Sequence, residues 1–168
     1  MARKRADGGT PSVGGTPATV ALTEFGIAFT AHPYVHDPSA ASFGLEAATA
    51  LGVEPERVFK TLLADVDGSL VVGIVPVAGQ LDLKALAHAA GGKRASMADP
   101  SVAERKTGYV VGGISPIGQK TALRTFVDET ASLWESVFVS GGRRGFDIEL
   151  APADLLRATA GVSADIAR

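Results

Sequence analysis

The chain has 168 residues, 46% of them hydrophobic and 20% charged, which suits one domain with one real core. It contains no Cys, so disulfides, Cys-ligated zinc, iron–sulfur clusters and a protein thiol nucleophile are excluded. Sixteen Lys and Arg against eighteen Asp and Glu give a net charge of −2, which argues against a protein that grips long nucleic acid non-specifically.

Residues Met1 to Pro17 are rich in Gly, Pro, Thr and charge and lack periodicity, so a flexible leader precedes a single domain over residues 18–168. Its basic start, Met1 to Arg5, is not followed by an apolar h-region of about 7–15 residues, and no later apolar run approaches the roughly 20 residues of a membrane span. The expectation is a cytoplasmic protein with no membrane partner. From Ala18, the apolar residues Val20, Leu22, Phe25 and Ile27 to Phe29 predict a short helix with Gly26 as a weak point. Pro33 and Pro38 bracket an extended piece, and Ser42 caps a helix through Leu51 that stops at Gly52.

Glu54 to Arg57 is a connector, and Val58 to Asp65 reads as a strand. Asp67-Gly68 predicts a hairpin to a second strand from Ser69 to Val77. Asp82 caps a helix through Ala90, ended by Gly91-Gly92, and a short strand follows around Arg94 to Met97. Asp99-Pro100 places a cap and an N1 proline before a helix ending near Gly108. Tyr109 to Lys120 is a Gly/Pro-rich loop. Strands are predicted from Thr121 to Asp128, Ser136 to Ser140 and Phe146 to Leu150, the last two joined by the turn Gly141 to Gly145. A final helix begins at Asp154 and ends at Gly161, and a short tail strand follows it. Strands with several hairpins and interspersed helices predict an α/β (α+β) fold: a mixed, largely antiparallel, barrel-like sheet with flanking helices.

Four groups of residues can carry chemistry. Lys60 lies in a strand that is apolar on both faces, so it either snorkels to an edge or points as a cation into a pocket. The loop Gly112 to Lys120 permits tight turns, and its amides can form an anion-binding nest, although it matches neither the Walker A nor the GxGxxG spacing. In Ser140 to Leu150, Arg143 and Arg144 sit at a hairpin tip, and Asp147 alternates with Glu149 so that one acid can face a pocket. His32, Tyr34, His36 and Asp37 share an extended segment whose spacing is poor for zinc, and no metal or cofactor is expected.

The blocks VFKTLLADVDG, PVAGQLDL, GYVVGGISPIGQK and VSGGRRGFDIEL occur in this order and together resemble the YbaK/EbsC family of aminoacyl-tRNA deacylases. The resemblance runs from about Phe25 to the C-terminus. It implies the fold of the editing domain found in bacterial prolyl-tRNA synthetases and a trans-editing hydrolase of mischarged Cys-tRNA(Pro), with Cys-tRNA(Cys) as a further substrate. The alternatives are a deacylase for another small amino acid, such as Ala-tRNA(Pro), or a non-catalytic aminoacyl-tRNA-binding or regulatory module.

The resemblance also implies that Lys60, Asp147 and Tyr34 serve catalysis and that Gly112, Gly113, Ser115, Pro116 and Ser140 bind substrate. With no evident nucleophile in the protein, the substrate's own thiol attacks its ester in the family mechanism, which fits a chain without Cys. The implied partners are the acceptor end of an aminoacylated tRNA and prolyl-tRNA synthetase in a ternary complex. Candidate phosphate contacts are Lys93, Arg94, Arg105, Lys106, Lys120, Arg143 and Arg144.

Overall fold

In a computed structural model, residues 15–168 of the chain are described. The leader expected over residues 1–17 therefore lies outside the described residues up to residue 14. Thr16 and Pro17 begin helix α1 (Pro17–Phe25): the Thr16 hydroxyl accepts the Thr19 N–H at 3.2 Å. The helix does not continue to Phe29. Gly26 turns left-handed at φ 71° and returns its N–H to the Leu22 and Thr23 carbonyls, so what looked like a weak point is the stop.

Strand β1 (Thr30–Pro33) follows, then helix α2 (Phe43–Leu51) between the expected Ser42 and Gly52 caps. Strands β2 (Phe59–Val66) and β3 (Ser69–Pro76) form the expected hairpin. Asp67 and Gly68 both have positive φ, 50° and 91°, the signature of a type I′ turn. Helix α3 (Leu83–Ala89) starts at the Asp82 cap, β4 (Ala95–Met97) follows, and α4 (Pro100–Thr107) starts at Asp99 and ends at Gly108.

Strand β5 (Arg124–Asp128) begins three residues later than the sequence pattern predicts. Strand β6 (Val137–Arg143) runs beyond Ser140 through an irregularity between Ser140 and Arg143, so the turn to β7 (Phe146–Leu150) is tighter than the expected five residues. Helix α5 (Pro152–Thr159) starts at Pro152, which places Asp154 inside the first turn instead of at the cap. Strand β8 (Val162–Ala164) closes the order.

The strands form two sheets, one ordered β1-β7-β6 and one ordered β4-β2-β3-β5-β8. Pairing is antiparallel except at β3–β5 and β5–β8, which gives the mixed, largely antiparallel arrangement expected. The sheets do not close into a barrel. Among the described residues the one backbone pairing between them is an isolated parallel bridge, Val58 to Phe138.

The main core fills the space between the sheets. Phe59, Leu63, Val72 and Ile74 from one meet Val137, Val139 and Ile148 from the other, under Leu22 of α1 and Leu155 of α5. On the far side of the joint, Val58 and Phe138 pack with Ala47, Ala48 and Val77 beneath α2. Alternation along β6 and β7 therefore sends one set of side chains to the core and leaves Phe138, Ser140, Asp147 and Glu149 on the opposite face.

The loop after α4 is held against the β6–β7 hairpin by close backbone approach. A Cβ on Gly113 would lie 2.7 Å from the Arg143 Cα, in backbone that cannot swing aside. Gly113→Ala is expected to destabilise the fold by about 1–3 kcal/mol through this overpacking, read as a lower midpoint in urea denaturation.

Candidate active site

The two sheets part just beyond the Val58–Phe138 bridge. Two residues further along each chain segment are Lys60 on β2 and Ser140 on β6, and both line the opening. Ser140 is the Cα partner of Asp147, and Asp147 is the partner of His32 on β1. Lys60, Ser140 and Asp147 therefore line one cavity of about 420 Å³, together with Tyr34 and Gly112. Apolar residues of α2, β2, α4 and the 108–120 loop make up most of the remaining wall, including Phe43, Leu62, Ala103 and Ile114. Part of the expected site is thus assembled from segments more than a hundred residues apart.

Lys60 and Asp147 carry opposite charges, and neither has an ion pair or side-chain hydrogen bond among the described residues. Burial lowers the Lys60 pKa, because it disfavours the ammonium. Asp147 is 6% exposed, and burial pushes its carboxyl up to about 7. Tyr34 is anchored by its N–H to the Gly145 carbonyl at 2.8 Å. Its phenol is held well above its ordinary value by burial first, then by the negative charges of Asp147 and Glu46. The Ser140 hydroxyl accepts the Gly142 N–H at 3.2 Å, which leaves its own proton available to donate.

The other acid of the DIEL block has its partners. Glu149 pairs with His32 at 2.8 Å and with Arg57 at 3.1 Å, and it also bonds the Ser136 hydroxyl. The Ser136 bond, followed by the His32 contact, lowers its pKa against burial. His36 pairs with Glu46 at 2.9 Å, so both histidines of the extended segment are engaged by carboxylates.

The expected substrate loop divides. Gly112, at φ 89°, lines the cavity, and a Cβ there would strike the Phe43 ring at 2.7 Å. Gly113 is buried against the Arg143 backbone. Ser115 is fully buried, and its hydroxyl accepts the Ile117 N–H at 3.2 Å. Pro116 lines a different cavity, of about 390 Å³, between α1 and α5. These three residues shape the loop from behind, away from Lys60.

The candidate phosphate contacts also separate. Arg144 donates to the Val111 carbonyl at 2.9 Å and lies 5.1 Å over the Phe43 ring, so it edges the cavity mouth, whereas Arg143 lies 4.3 Å over Phe146 of the main core. Arg105 and Lys106 occupy the last turn of α4, and Lys120 is exposed beside it. Lys93 and Arg94 donate their backbone N–H groups to Asp67 at the hairpin tip. That tip is seven residues from Lys60, about 23 Å along an extended strand.

The sequence reading did not single out Phe43, Arg57 or Thr61. Phe43 covers Gly112 at the mouth, and its place at the start of a capped helix is the signal that could have found it. The Thr61 hydroxyl is buried in the cavity wall without a hydrogen-bond partner.

The aminoacyl-tRNA editing domain family matches residues 37–158. A protein of Enterococcus faecalis, EbsC, named for Cys-tRNA(Pro)/Cys-tRNA(Cys) deacylation, is 42% identical over 120 residues, which cover 71% of this chain and 73% of that one. A proline–tRNA ligase of Maridesulfovibrio salexigens is 34% identical over 100 residues, 60% of this chain but only 17% of the ligase. A crystal structure described as a trans-editing enzyme for prolyl-tRNA synthetase matches with a TM-score of 0.77 and 26% identity, over 90% of this chain and 95% of that one. The chain belongs to the aminoacyl-tRNA editing domain family, and its class is that of an aminoacyl-tRNA deacylase. Among the described residues, no helix is long and apolar enough to cross a membrane.

Asp147 binds its proton more tightly in the folded chain than in the unfolded one. The contribution of Asp147 to stability therefore falls as pH rises from about 4 to about 7. Asp147→Asn removes this loss. The variant is expected to melt several degrees above the wild type at pH 8, with the gap closing towards pH 4, in thermal unfolding followed by circular dichroism.

Proposed function

We propose that the chain is a trans-editing deacylase that clears Cys-tRNA(Pro), with Cys-tRNA(Cys) as a second substrate. The observation that carries this reading is a lysine and an aspartate, Lys60 and Asp147, that both line one small and mostly apolar cavity and have no ion pair among the described residues. A buried charge without a partner is costly, and a ligand bearing the opposite charges relieves that cost. An aminoacyl ester bears them: a cationic α-ammonium and an ester carbonyl that becomes negative as it is attacked.

The Asp147 carboxylate receives the α-ammonium, with the Tyr34 phenol beside it. The Lys60 ammonium and the Gly112 backbone sit at the carbonyl and stabilise the developing oxyanion. Ser140 donates to the ribose or ester oxygen. The chain holds no thiol of its own, so the substrate's cysteine sulfur attacks the carbonyl. A sulfur–carbon bond forms and the carbon–oxygen ester bond breaks. The thiol proton passes to the departing tRNA hydroxyl, leaving a cyclic thiolactone that water opens. The protein contributes orientation and charge, which can supply much of such a barrier.

Arg144 at the mouth meets acceptor-end phosphates, and the remaining basic candidates extend that contact or face a synthetase partner. The likeness to prolyl-tRNA synthetase editing sequences supports a ternary complex with that enzyme. Such an arrangement lets a protein of net charge −2 work on tRNA by contacting only its tip.

The test is a deacylation panel of Cys-, Ser- and Ala-tRNA(Pro). Wild type is expected to clear Cys-tRNA(Pro) at least about a hundredfold faster than Ser-tRNA(Pro), and Lys60→Ala to lose about a hundredfold or more on the cysteinyl substrate. Equal turnover of the seryl substrate would refute thiol assistance. Unchanged turnover by Lys60→Ala would refute the role of Lys60.

A further inference from the structure

Beyond the cavity wall, a polar clamp lies at the joint of the two sheets. Arg57 directly precedes Val58, whose bridge to Phe138 is the one backbone pairing that ties the sheets together among the described residues. The guanidinium reaches across that joint. Its Nε donates to the Ser136 carbonyl at 2.9 Å, and its Nη2 donates to the Ser136 hydroxyl at 2.6 Å and to Glu149 Oε2 at 3.1 Å. The guanidinium carbon sits 5.1 Å from the centre of the Phe138 ring. The other oxygen of Glu149 is held by His32 Nε2 at 2.8 Å, and the His32 ring packs against Phe138 at 5.1 Å.

The clamp lies one step along the strands from the proposed reacting groups. Lys60 is two residues beyond Val58, Ser140 two beyond Phe138, and Asp147 two before Glu149. Two residues advance a strand by about 7 Å and return to the same face. A single bridge fixes one point of contact between sheets. The angle at which they open, and hence the gap between Lys60 and the Ser140–Asp147 row, is fixed by what braces the joint. Arg57 braces it from β2's side and grips both β6 and β7.

We propose that Arg57 is a positioning residue for deacylation: anchored on Ser136 and Glu149, it sets the opening of the cleft and so the placing of Lys60 against Asp147. This rests on the reading of Lys60 and Asp147 given above. Arg57 lies behind the cavity and touches no reacting atom. Its loss therefore leaves Asp147, which receives the substrate's ammonium, within the smaller sheet's own ladder, but shifts Lys60, which acts on the ester carbonyl, relative to it. Arg suits this task and Lys does not, because only a planar fork can serve three acceptors on two strands at once.

Single-turnover deacylation of Cys-tRNA(Pro) at increasing enzyme concentration separates binding from chemistry. Arg57→Ala, first checked for a native circular dichroism spectrum, is expected to slow the saturated rate roughly tenfold to a hundredfold. Its half-saturating concentration is expected to change by less than about threefold, as follows when an interaction acts on the transition state alone. Arg57→Lys and Glu149→Gln keep most of the packing and are expected to fall between wild type and Arg57→Ala; they carry the test if Arg57→Ala does not fold. A saturated rate equal to wild type in folded variants, or a loss confined to the half-saturating concentration, overturns the positioning role. Lys60→Ala run alongside separates the two readings. If it too is fully active, the assignment of Lys60 fails and the positioning role falls with it. If it is inactive while Arg57→Ala is normal, only the positioning role fails.

Discussion

The structure depends on how two small sheets are joined. Among the described residues they share one backbone bridge, Val58 to Phe138, and no further ladder joins them beyond it. On one side of the joint the gap is filled by the aliphatic core. On the other, α2 roofs it only in part, and the uncovered wedge is the cavity. The polar residues of the smaller sheet, Ser140 and Asp147, face this wedge because strand alternation puts them opposite Val139 and Ile148, which belong to the core.

This geometry explains why two charged groups are left without protein partners. At the joint itself charge is fully matched: Arg57, Glu149, His32 and Ser136 satisfy one another. One step further along the same strands, Lys60 and Asp147 line the cavity, and each is driven by burial towards its neutral form. A folded protein gains nothing in stability from that arrangement, and buried carboxylates of this kind concentrate at functional sites. Under the proposed function the arrangement has a use, since an aminoacyl ester would bring complementary charge to both groups.

Much of the fold was legible in the sequence. Ser42, Asp82 and Asp99 cap their helices through local hydrogen bonds, and Asp67-Gly68 forms its hairpin because the turn needs two residues with positive φ. The misses were places where local signals do not decide. Gly26 stops α1 although the apolar pattern continues to Phe29, and α5 starts at Pro152 without a side-chain cap. Lys60 stood out because it interrupts an apolar strand. Whether Asp147 or Glu149 faced the cavity was open, since both lie on one face of β7; distant partners, Arg57 and His32, decide it by claiming Glu149. The loop residues Gly113, Ser115 and Pro116 looked alike with Gly112 in sequence, and only the packing of the loop on Arg143 and Ile117 separates them.

In the proposed function the cleft keeps the Asp147 carboxyl ready for a substrate ammonium. Carbon-detected NMR titration of the Asp147 side chain tests it directly, with and without a non-hydrolysable amide analogue of cysteinyl-adenosine. A midpoint near 7 in the free protein, falling clearly when the analogue binds, is the predicted result. A midpoint in the ordinary carboxylate range that the analogue does not move would contradict the account.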